Sequence, residues 1–457
     1  MTDPGGERRR ILVVTGDVLT EQMAGTAIRA WHVAHRLAVE HDVVLATTSG
    51  ICTRRSETVR LEAPREGGFE PLEAWCEVLI VQGYVLHHVP SLRESEKVMV
   101  VDLYTPLHLE TLALSQAGER TAREGQNGFI LAELNRQLVR GDFFICANER
   151  QRALWLGQLS ALGRINPRTW DVDPTLRALV DVVPFGIDDA DPVHSRPGAR
   201  GVVEGIGRDD ELLVWAGGVY NWLDPLTLVR AVALLAARRP QVRLYFLGLR
   251  HPNPEVPEMA MASAARSLAG ELGVLGRHVF FNDGWVDYAE RQNVLLEADL
   301  GVSTHPANAE TTFSFRTRIL DYLWAGLPTV MTEGDGFAEL AEREGLGAVV
   351  PAGDPELLAE ALDRLLSDPD ARAAAIANVK RVREAYRWAT ILAPLVAFCR
   401  HPQWAADRLP PDSPAASTSA APSGSLPGRL AGGLPPPVRR VLSRLRRSLV
   451  ALRSRAS

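Results

Sequence analysis

The pattern of apolar and polar positions divides most of the chain into two similar halves. In residues 10–183, short apolar runs alternate with longer amphipathic segments, and the same alternation restarts near residue 207 and continues to about 385. Strands of this kind, separated by helices, are typical of a parallel sheet covered on both faces. The predicted fold class is therefore α/β, with two tandem doubly wound domains. The predicted strands are 11–14, 43–46, 78–81, 98–101, 143–146 and 180–183, followed by 212–216, 243–247, 278–281, 299–303, 329–332 and 348–350.

The same pattern predicts the domain boundaries. An N-terminal domain is expected over residues 1–186 and a second domain over 187–385. An amphipathic segment, 386–400, is expected to form a terminal helix that packs back on the N-terminal domain. Residues 401–437 are mostly Pro, Ala, Ser and Gly, which predicts a disordered linker. Residues 438–457 regain helical spacing, with seven arginines and no acid, which predicts a basic amphipathic helix.

Charge is distributed unevenly along the chain. The 457 residues have a net charge of −6, yet residues 401–457 carry nine arginines against two aspartates. An acidic body with a basic tail argues against a nucleic-acid-binding core, so no nucleic-acid partner is predicted. The arginine-rich helix favours an anionic membrane surface. The predicted location is the cytoplasm, with peripheral attachment to the inner face of the membrane. A basic extension without a defined role is the alternative.

The sequence predicts neither a disulfide framework nor a metal site. Its four cysteines are scattered without C-x-x-C or other ligand spacing, which favours a reducing compartment. The N-terminal residues predict a strand rather than a leader peptide, and no apolar run reaches the length of a membrane span. The protein is therefore expected to be soluble or peripheral.

Residues 310–328, E-T-T-F-S-F-R-T-R-I-L-D-Y-L-W-A-G-L-P, contain the clearest local signals. They predict a helix over 315–325, with Ser314 as its N-cap and Gly326 as its left-handed C-cap. Pro328 prevents the helix from continuing. The helix therefore follows a polar loop at the end of an apolar strand, where its N-terminus is available to a ligand.

Helical spacing places Arg318 and Asp321 on one polar face of this helix. An arginine in the first turns of a helix suits a pyrophosphate, because free N–H groups and partial positive charge are already present there. A carboxylate one turn further along can accept hydrogen bonds from ribose hydroxyls. Together the two side chains predict a nucleoside diphosphate site. An ordinary surface ion pair between them is the alternative.

Polar residues and glycines follow the ends of several predicted strands. Because ligands bind at the carboxyl ends of strands in open parallel sheets, these positions predict a cleft between the two domains. They include Asp102 and Tyr104 in the first domain, and Gly217, Gly218, Arg250, Trp285 and Glu310 in the second.

Several motifs together resemble a GT-B glycosyltransferase. They are the two tandem Rossmann-like domains, the V-P-F-G-I-D crossover near residue 185, the Gly217–Gly218 pair after a strand, and the acidic loop before L-D-Y-L-W-A-G-L-P. Within that fold the chain resembles glycosyltransferase family 4, whose members are retaining enzymes. The resemblance covers about residues 8–400. Its most specific motif is L-D-Y-L-W-A-G-L-P, where the family commonly has L-E-A-M-A-x-G-x-P.

The resemblance implies roles for the second domain. Asp321 would bind the donor ribose, and Glu310 would contact the donor sugar, although the family's glutamate position is occupied here by Phe313. The family's usual arginine and lysine clamp on the diphosphate is absent, since Gly218 and Leu223 stand at those positions. We expect its charge to be supplied by Arg316 and Arg318, with Arg250 as a further candidate. Loss of donor binding is the alternative.

The resemblance also implies roles for the first domain and for Trp285. Gly25 would let backbone N–H groups approach the donor phosphates, although a simple helix-start glycine is the alternative. Asp102 stands in for a histidine of the family, and Tyr104 is a candidate for acceptor contact. A structural turn role is open for both. Trp285 is expected to border the nucleobase.

The predicted function is therefore that of a retaining hexosyltransferase that needs no metal and no cofactor. Its co-substrate would be a nucleoside diphosphate sugar, and its acceptor a glycan, a glycolipid, or another lipid-linked or cell-envelope molecule. Glu310, Arg318 and Asp102 are the predicted catalytic residues. The D-x-D at residues 171–173 lies outside the context of a metal-binding motif and is set aside. A nucleotide-sugar epimerase and a non-catalytic GT-B scaffold remain alternatives. Arginine far exceeds lysine, which suggests a bacterial source.

Overall fold

Two parallel sheets organise the protein in a computed structural model that describes residues 7–65, 68–116, 118–249 and 259–408. The first sheet has seven strands in the order β3-β2-β1-β4-β5-β6-β7, and the second has six in the order β10-β9-β8-β11-β12-β13. The first sheet contains β1 (Arg10–Thr15), β2 (Asp42–Thr47), β3 (Arg60–Glu62), β4 (Val78–Gln82), β5 (Val98–Asp102), β6 (Phe143–Cys146) and β7 (Val180–Val182). The second contains β8 (Glu211–Trp215), β9 (Val242–Phe246), β10 (Val279–Phe281), β11 (Leu300–Ser303), β12 (Thr329–Thr332) and β13 (Gly347–Val350). The predicted α/β class with two doubly wound domains is confirmed.

Helices cover both sheets. In the first half they are α1 (Gly25–Ala38), α2 (Glu70–Trp75), α3 (Val85–His88), α4 (Pro90–Arg93), α5 (Leu107–Leu114), α6 (Arg120–Arg140), α7 (Glu149–Ala161) and α8 (Pro167–Val172). The second half contains α9 (Pro225–Ala236), α10 (Ala260–Glu271), α11 (Arg291–Glu297), α12 (Ala309–Phe313), α13 (Thr317–Ala325), α14 (Gly336–Glu344), α15 (Pro355–Ser367) and α16 (Pro369–Val382). A 3-10 turn (Arg383–Tyr386), α17 (Trp388–Ile391) and α18 (Ala393–Arg400) follow.

The buried strands explain why the sequence shows no alternation within them. Ile11 and Leu12, which point to opposite faces of β1, are both fully buried. On one face α1 packs through Ala30 and Ala34, whose spacing places both side chains on the same side of the helix. A strand covered on both faces needs apolar residues at every position, and the sequence supplies them.

The segment after the second sheet returns to the first. The Phe398 ring of α18 stacks on the Phe143 ring of β6, with 4.4 Å between the centroids. The predicted linker start at residue 401 is wrong for its first residues, because Asp407 accepts hydrogen bonds of 2.6 and 3.0 Å from the buried Arg164 guanidinium. The rest of the predicted linker and the predicted basic helix lie outside the described residues.

Two neighbouring side chains of α7 join the loops of the two sheets. The fully buried Gln151 donates from Nε2 to the carbonyl of Tyr104 at 2.8 Å and to the carbonyl of Phe313 at 2.9 Å. Beside it, Arg150 donates to the carbonyl of Gly334 at 2.7 Å and pairs with Glu339. These bonds connect the loops at the carboxyl ends of the two sheets directly.

Within the part of the chain that the structure describes, none of the helices combines the length and the apolar character that crossing a membrane requires.

Candidate functional site

A cleft of about 380 Å³ lies where the carboxyl ends of the two sheets face each other. Its first wall is formed by the start of α1 and by the segments after β4, β5 and β7. Its second wall is formed by the segments after β8 and β9, by residues 285–291, and by the first part of α13. Doubly wound folds bind their ligands at this position, so the cleft is the candidate site.

The start of α13 differs from the prediction. The helix begins at Thr317, Arg316 occupies the N-cap position, and none of the described side chains caps the helix. Ser314 is not its N-cap, because residues 309–313 form the separate helix α12 and the Ser314 hydroxyl donates to the Glu310 carbonyl at 2.6 Å. The predicted left-handed C-cap is present, since Gly326 has φ 71°. The N-terminus of α13 therefore lines the cleft with N–H groups that are not capped by a side chain in the part of the chain that the structure describes.

Arg318 lies on the cleft wall with part of its guanidinium unpaired. Nη2 donates to the carbonyl of Gly218 at 2.9 Å, and the guanidinium lies 4.0 Å above the Trp215 ring. Nη1 is buried and makes no hydrogen bond to any described residue. Burial lowers the pKa of Arg318 to about 10, so the side chain is still a cation at neutral pH. A buried cation with an unused N–H group is suited to an anionic ligand.

The two glycines after β8 bring backbone to the cleft surface. Gly217 has φ 75°, a conformation that side-chain-bearing residues rarely adopt, and the space around a Cβ there is open. A Cβ on Gly218 would lie 3.0 Å from the Tyr220 ring. Both positions therefore favour glycine, and the peptide can approach a ligand closely.

Arg316 and Glu310 form a buried bidentate ion pair. Nη1 and Nη2 of Arg316 donate to the two carboxylate oxygens at 2.9 and 2.7 Å, and the side chains are only 5% and 3% exposed. Arg316 lines the cleft, whereas Glu310 is absent from its lining. Much of the charge of Arg316 is therefore balanced inside the protein, and Arg318 is the stronger candidate for a diphosphate. A contact between Glu310 and a donor sugar remains a prediction.

Asp321 lines the cleft as part of an ion-pair network that the sequence did not reveal. Its Oδ1 accepts a 2.9 Å hydrogen bond from Nε of Arg291, whose Nη2 also donates to Asp188 at 3.2 Å. The Arg291 guanidinium lies between the rings of Tyr288 and Trp324, at 3.5 and 4.3 Å. Burial raises the pKa of Asp321, and Arg291 opposes that rise. The ribose contact of Asp321 remains a prediction, now with a defined positioning partner.

On the first wall, Asp102 is paired with an arginine. Arg29, fully buried, donates to both carboxylate oxygens of Asp102 at 2.5 and 3.0 Å, and also to the carbonyls of Val183 and Pro184. Its guanidinium lies 5.0 Å from the Tyr104 ring centroid. Arg29 therefore connects Asp102, at the end of β5, to the crossover segment. The catalytic role of Asp102 remains a prediction.

Comparison with known proteins agrees with this geometry. Residues 210–368 match the family model described as glycosyl transferases group 1. Among solved structures, the chain superimposes on a sucrose-phosphate synthase from Thermosynechococcus elongatus with a TM-score of 0.61, at 18% identity, covering 86% of this chain and 98% of that one. It also matches WaaG, a glycosyltransferase involved in lipopolysaccharide biosynthesis, with a TM-score of 0.59, 18% identity, and 86% and 100% coverage.

The chain has the GT-B fold. The GT-B fold inferred from the sequence is confirmed, and the glycosyl transferases group 1 match lies in its second domain. A third GT-B neighbour, Anabaena Alr3699/HepE in complex with UDP-glucose, has a TM-score of 0.57 at 14% identity, with 85% and 98% coverage.

Curated relatives match part of this GT-B chain. The D-inositol 3-phosphate glycosyltransferase of Saccharomonospora viridis is 28% identical over 197 residues, which are 42% of this chain and 44% of that protein. The phosphatidyl-myo-inositol mannosyltransferase of Mycolicibacterium smegmatis is 27% identical over 169 residues, 37% and 39% of the two chains. The matches thus span less than half the length of these relatives.

The remaining predicted residues are distributed around the GT-B cleft. Gly25 is the first residue of α1, whose N-cap carries no side-chain hydrogen bond, and a Cβ there would lie 3.4 Å from the Tyr104 hydroxyl. Trp285 lines the cleft and bridges to Gly248, where a Cβ would lie 2.9 Å from its ring. Arg250 lies outside the described residues. The structure therefore brings Gly25, Tyr104, Trp285 and the α13 residues into one cleft.

Glu110, which the sequence reasoning missed, also lines the GT-B cleft. The side chain is partly buried on α5, and no described residue forms a hydrogen bond or an ion pair with its carboxyl group. Burial, reinforced by the nearby Glu310 carboxylate, raises its pKa to about 8. The available signal was its position in the first turn of α5, the helix that follows the carboxyl end of β5.

Within the described residues there is no group of three or more His, Cys, Asp or Glu side chains placed to hold a metal ion. In the D-x-D sequence, Asp173 instead accepts hydrogen bonds from Thr175 and from the Ala178 N–H in a local turn.

Proposed function

We propose that the protein is a retaining glycosyltransferase that moves a hexosyl group from a nucleoside diphosphate donor to a hydroxyl group. The observation that carries the proposal is the unpaired Nη1 of Arg318 beside the Gly217–Gly218 backbone. A buried arginine with an unused donor, a glycine backbone and the uncapped α13 N-terminus together suit a diphosphate.

The chemical demand is stabilisation of the leaving group. When the anomeric carbon–oxygen bond breaks, its electron pair passes to the diphosphate, and the new negative charge lies where Arg318 and the α13 dipole are directed. The acceptor oxygen forms the new bond to the anomeric carbon from the face that the diphosphate leaves, and its proton passes to a diphosphate oxygen. This course retains the anomeric configuration and needs neither a protein nucleophile nor a metal.

The remaining cleft residues bind the nucleotide in this proposal. Asp321, held through Oδ1 by Arg291, directs its carboxylate to the ribose hydroxyls, and Trp285 borders the base. The GT-B neighbour in complex with UDP-glucose supports uridine diphosphate sugars as the first donors to test. The glycosyltransferase names of the curated relatives support the reaction class.

The acceptor is proposed to be a glycan or a lipid-linked molecule at the cytoplasmic face of a membrane. The support is in the sequence, because the seven arginines of residues 438–457 favour an anionic surface. Truncation after residue 408 should abolish binding to vesicles of anionic phospholipid and leave activity on a water-soluble acceptor unchanged.

A binding and product screen tests the proposal. UDP, GDP and ADP, each alone and as a hexose conjugate, are titrated into the full chain by calorimetry, and the products formed with acceptors are analysed by NMR for anomeric configuration. Binding of one nucleotide with a retained product is expected. Absence of binding by every nucleotide would indicate a non-catalytic GT-B protein, and an altered sugar formed without an acceptor would indicate an epimerase.

A further inference from the structure

The two walls of the cleft differ in charge. Among the described residues that line it, the second domain contributes Arg291, Arg316, Arg318 and Asp321. The first domain contributes the carboxyl groups of Asp102 and Glu110, and no arginine, lysine or histidine. Basic side chains of the second wall therefore attract an anionic group. The first wall has no basic side chain for an anion among the described residues that line it.

The two carboxyl groups of the first wall are not equivalent. Asp102 is neutralised by its bidentate pair with Arg29. Glu110 has no such partner among the described residues. Arg316 on the facing wall lowers the pKa of Glu110 through its charge, but its guanidinium is already paired with Glu310. Glu110 thus combines position in the cleft with free hydrogen-bonding capacity.

The surroundings of Glu110 favour hydroxyl groups as ligands. Tyr104 and Gln137 line the same wall, and Tyr220 lies on the facing wall. Because burial and the Glu310 carboxylate raise the pKa of Glu110 to about 8, its carboxyl group is mostly protonated at neutral pH. A protonated carboxyl group both donates and accepts hydrogen bonds, which matches neighbouring hydroxyls of a polyol.

We infer that Glu110 forms the acceptor subsite and selects an acceptor that presents uncharged hydroxyl groups, rather than a phosphate, to the first wall. This inference rests on the proposed function and specifies its acceptor class. It differs from the relative whose name specifies an inositol phosphate. That difference is compatible with the family match, because the matched residues 210–368 exclude the whole first wall.

The experiment compares an uncharged polyol with its phosphate at the same site. The full chain is saturated with the nucleotide found in the binding screen, and myo-inositol, glucose and their monophosphates are titrated by calorimetry. For wild type we expect each uncharged compound to bind at least tenfold more tightly than its phosphate. Tighter binding of the phosphates, or no binding of either uncharged compound, overturns the inference.

Substitutions at Glu110 test whether this side chain causes the preference for uncharged polyols over their phosphates. Glu110→Gln keeps the shape and the neutral state, so affinity for the uncharged compounds at pH 7 should stay within about threefold of wild type. Glu110→Ala should weaken it at least tenfold, and Glu110→Lys should favour the phosphates. The control is Glu124→Ala, which removes an exposed carboxylate from α6. Preferences that are identical in all four variants overturn the inference.

The nucleotide titration separates the two hypotheses. If no nucleotide binds to the wild type, the proposed function fails and the acceptor inference fails with it. If the nucleotide binds and Arg318→Ala weakens that binding, the donor site stands, and the polyol titrations then decide the role of Glu110 by themselves. The thermal midpoint of each variant shows whether it is folded.

Discussion

Arg291 holds the carboxylate of Asp321 through a 2.9 Å hydrogen bond from Nε to Oδ1. The same guanidinium reaches Asp188 at the crossover and lies between two aromatic rings. The orientation of the residue proposed to bind the ribose is thus fixed by a side chain 30 positions earlier in the sequence. Preorganisation of this kind lowers the cost of binding, since little freedom is lost when the ligand arrives.

Arg291→Gln should therefore weaken nucleotide binding although Arg291 need not touch the nucleotide. Without the cation, Asp321 loses the partner that opposes the burial-induced rise of its pKa. We expect a 5- to 20-fold higher Kd for the nucleotide, measured by calorimetry at pH 7. The difference should be smaller at pH 8.5, because loss of Arg291 raises the pKa of Asp321 further and a higher pH opposes that rise. A Kd ratio that is the same at both pH values would argue that only packing was lost.

Arg318→Ala should remove the main cation of the proposed diphosphate site. A charge-assisted hydrogen bond contributes on the order of 1.5–3 kcal/mol, so the Kd for the nucleoside diphosphate should rise about 10- to 100-fold. The nucleoside without phosphates should bind the wild type and the variant equally. Arg343→Ala, at an exposed site on α14, is the control and should leave both affinities unchanged.

Gly217→Ala tests whether the left-handed backbone matters to the site. An alanine at φ 75° is strained, so the substitution should lower the stability by about 1 kcal/mol and weaken nucleotide binding through the shifted peptide. Gly125→Ala in the interior of α6 is the matched control, since a Cβ there meets nothing within 4 Å. It should raise the thermal midpoint and leave binding unaltered. Equal effects of the two substitutions would contradict this account.

The Glu310–Arg316 pair leads to a prediction about stability and activity together. Glu310→Gln leaves the buried Arg316 without its counter-charge, which should cost about 3–5 kcal/mol of stability. The double variant with Arg316→Met should recover most of that loss. If Glu310 also contacts the donor sugar, kcat/KM will stay low in the stabilised double variant. Recovery of both quantities would show that the pair is structural.

Glu110 should make the stability depend on pH. Its pKa of about 8 in the folded protein lies above the ordinary value of 4.5, so its stabilising contribution is complete below pH 4.5 and is lost as the pH rises through 8. Charged neighbours act in both directions, since Glu310 raises this pKa and Arg316 lowers it. The titratable hydroxyls that interact with Glu110 belong to Tyr84, Tyr104 and Tyr220, all with raised pKa values.

Glu110→Gln is neutral at every pH and removes this dependence. The thermal midpoint of the variant should therefore exceed that of the wild type by an amount that grows between pH 5 and pH 9. The shift of the pKa from 4.5 to about 8 corresponds to a growth on the order of 4 kcal/mol in stability over that range. Scanning calorimetry at four pH values measures the difference. A constant offset across the range would show that Glu110 does not titrate there.

Local pattern was sufficient to predict the sheets. Each predicted strand is present, because burial on both faces requires an uninterrupted apolar run. The missed strand, β3 at Arg60–Glu62, lies at the edge of its sheet and is only partly buried, so it has charged residues on both sides of Leu61 and no continuous apolar run. Gly326 was predictable for a similar reason, since a left-handed C-cap has a strong local signature.

The site was predictable only where chain geometry brings residues together. Gly217, Gly218, Trp285 and Arg318 reach the cleft because strand ends meet at one edge of each sheet. The pairing of Arg316 with Glu310 could not be predicted from the sequence. The helix that contains Glu310 ends at Phe313, and the next begins only at Thr317, so helical spacing does not relate the two residues. The partners of Asp102 and Asp321 lie 73 and 30 positions away, and a single sequence carries no record of such contacts.

The amide of Gln151 restricts how this protein can be recombined with its relatives. One side chain of the first half holds a loop from each half, so the halves are not interchangeable parts joined only at the crossover. A chimera whose first domain comes from another protein would lose the hydrogen bond to the Phe313 carbonyl, unless that domain also has glutamine at the position equivalent to Gln151. Taking α7 and the loop at residue 313 from the same parent protein keeps the first wall of the cleft aligned with the second.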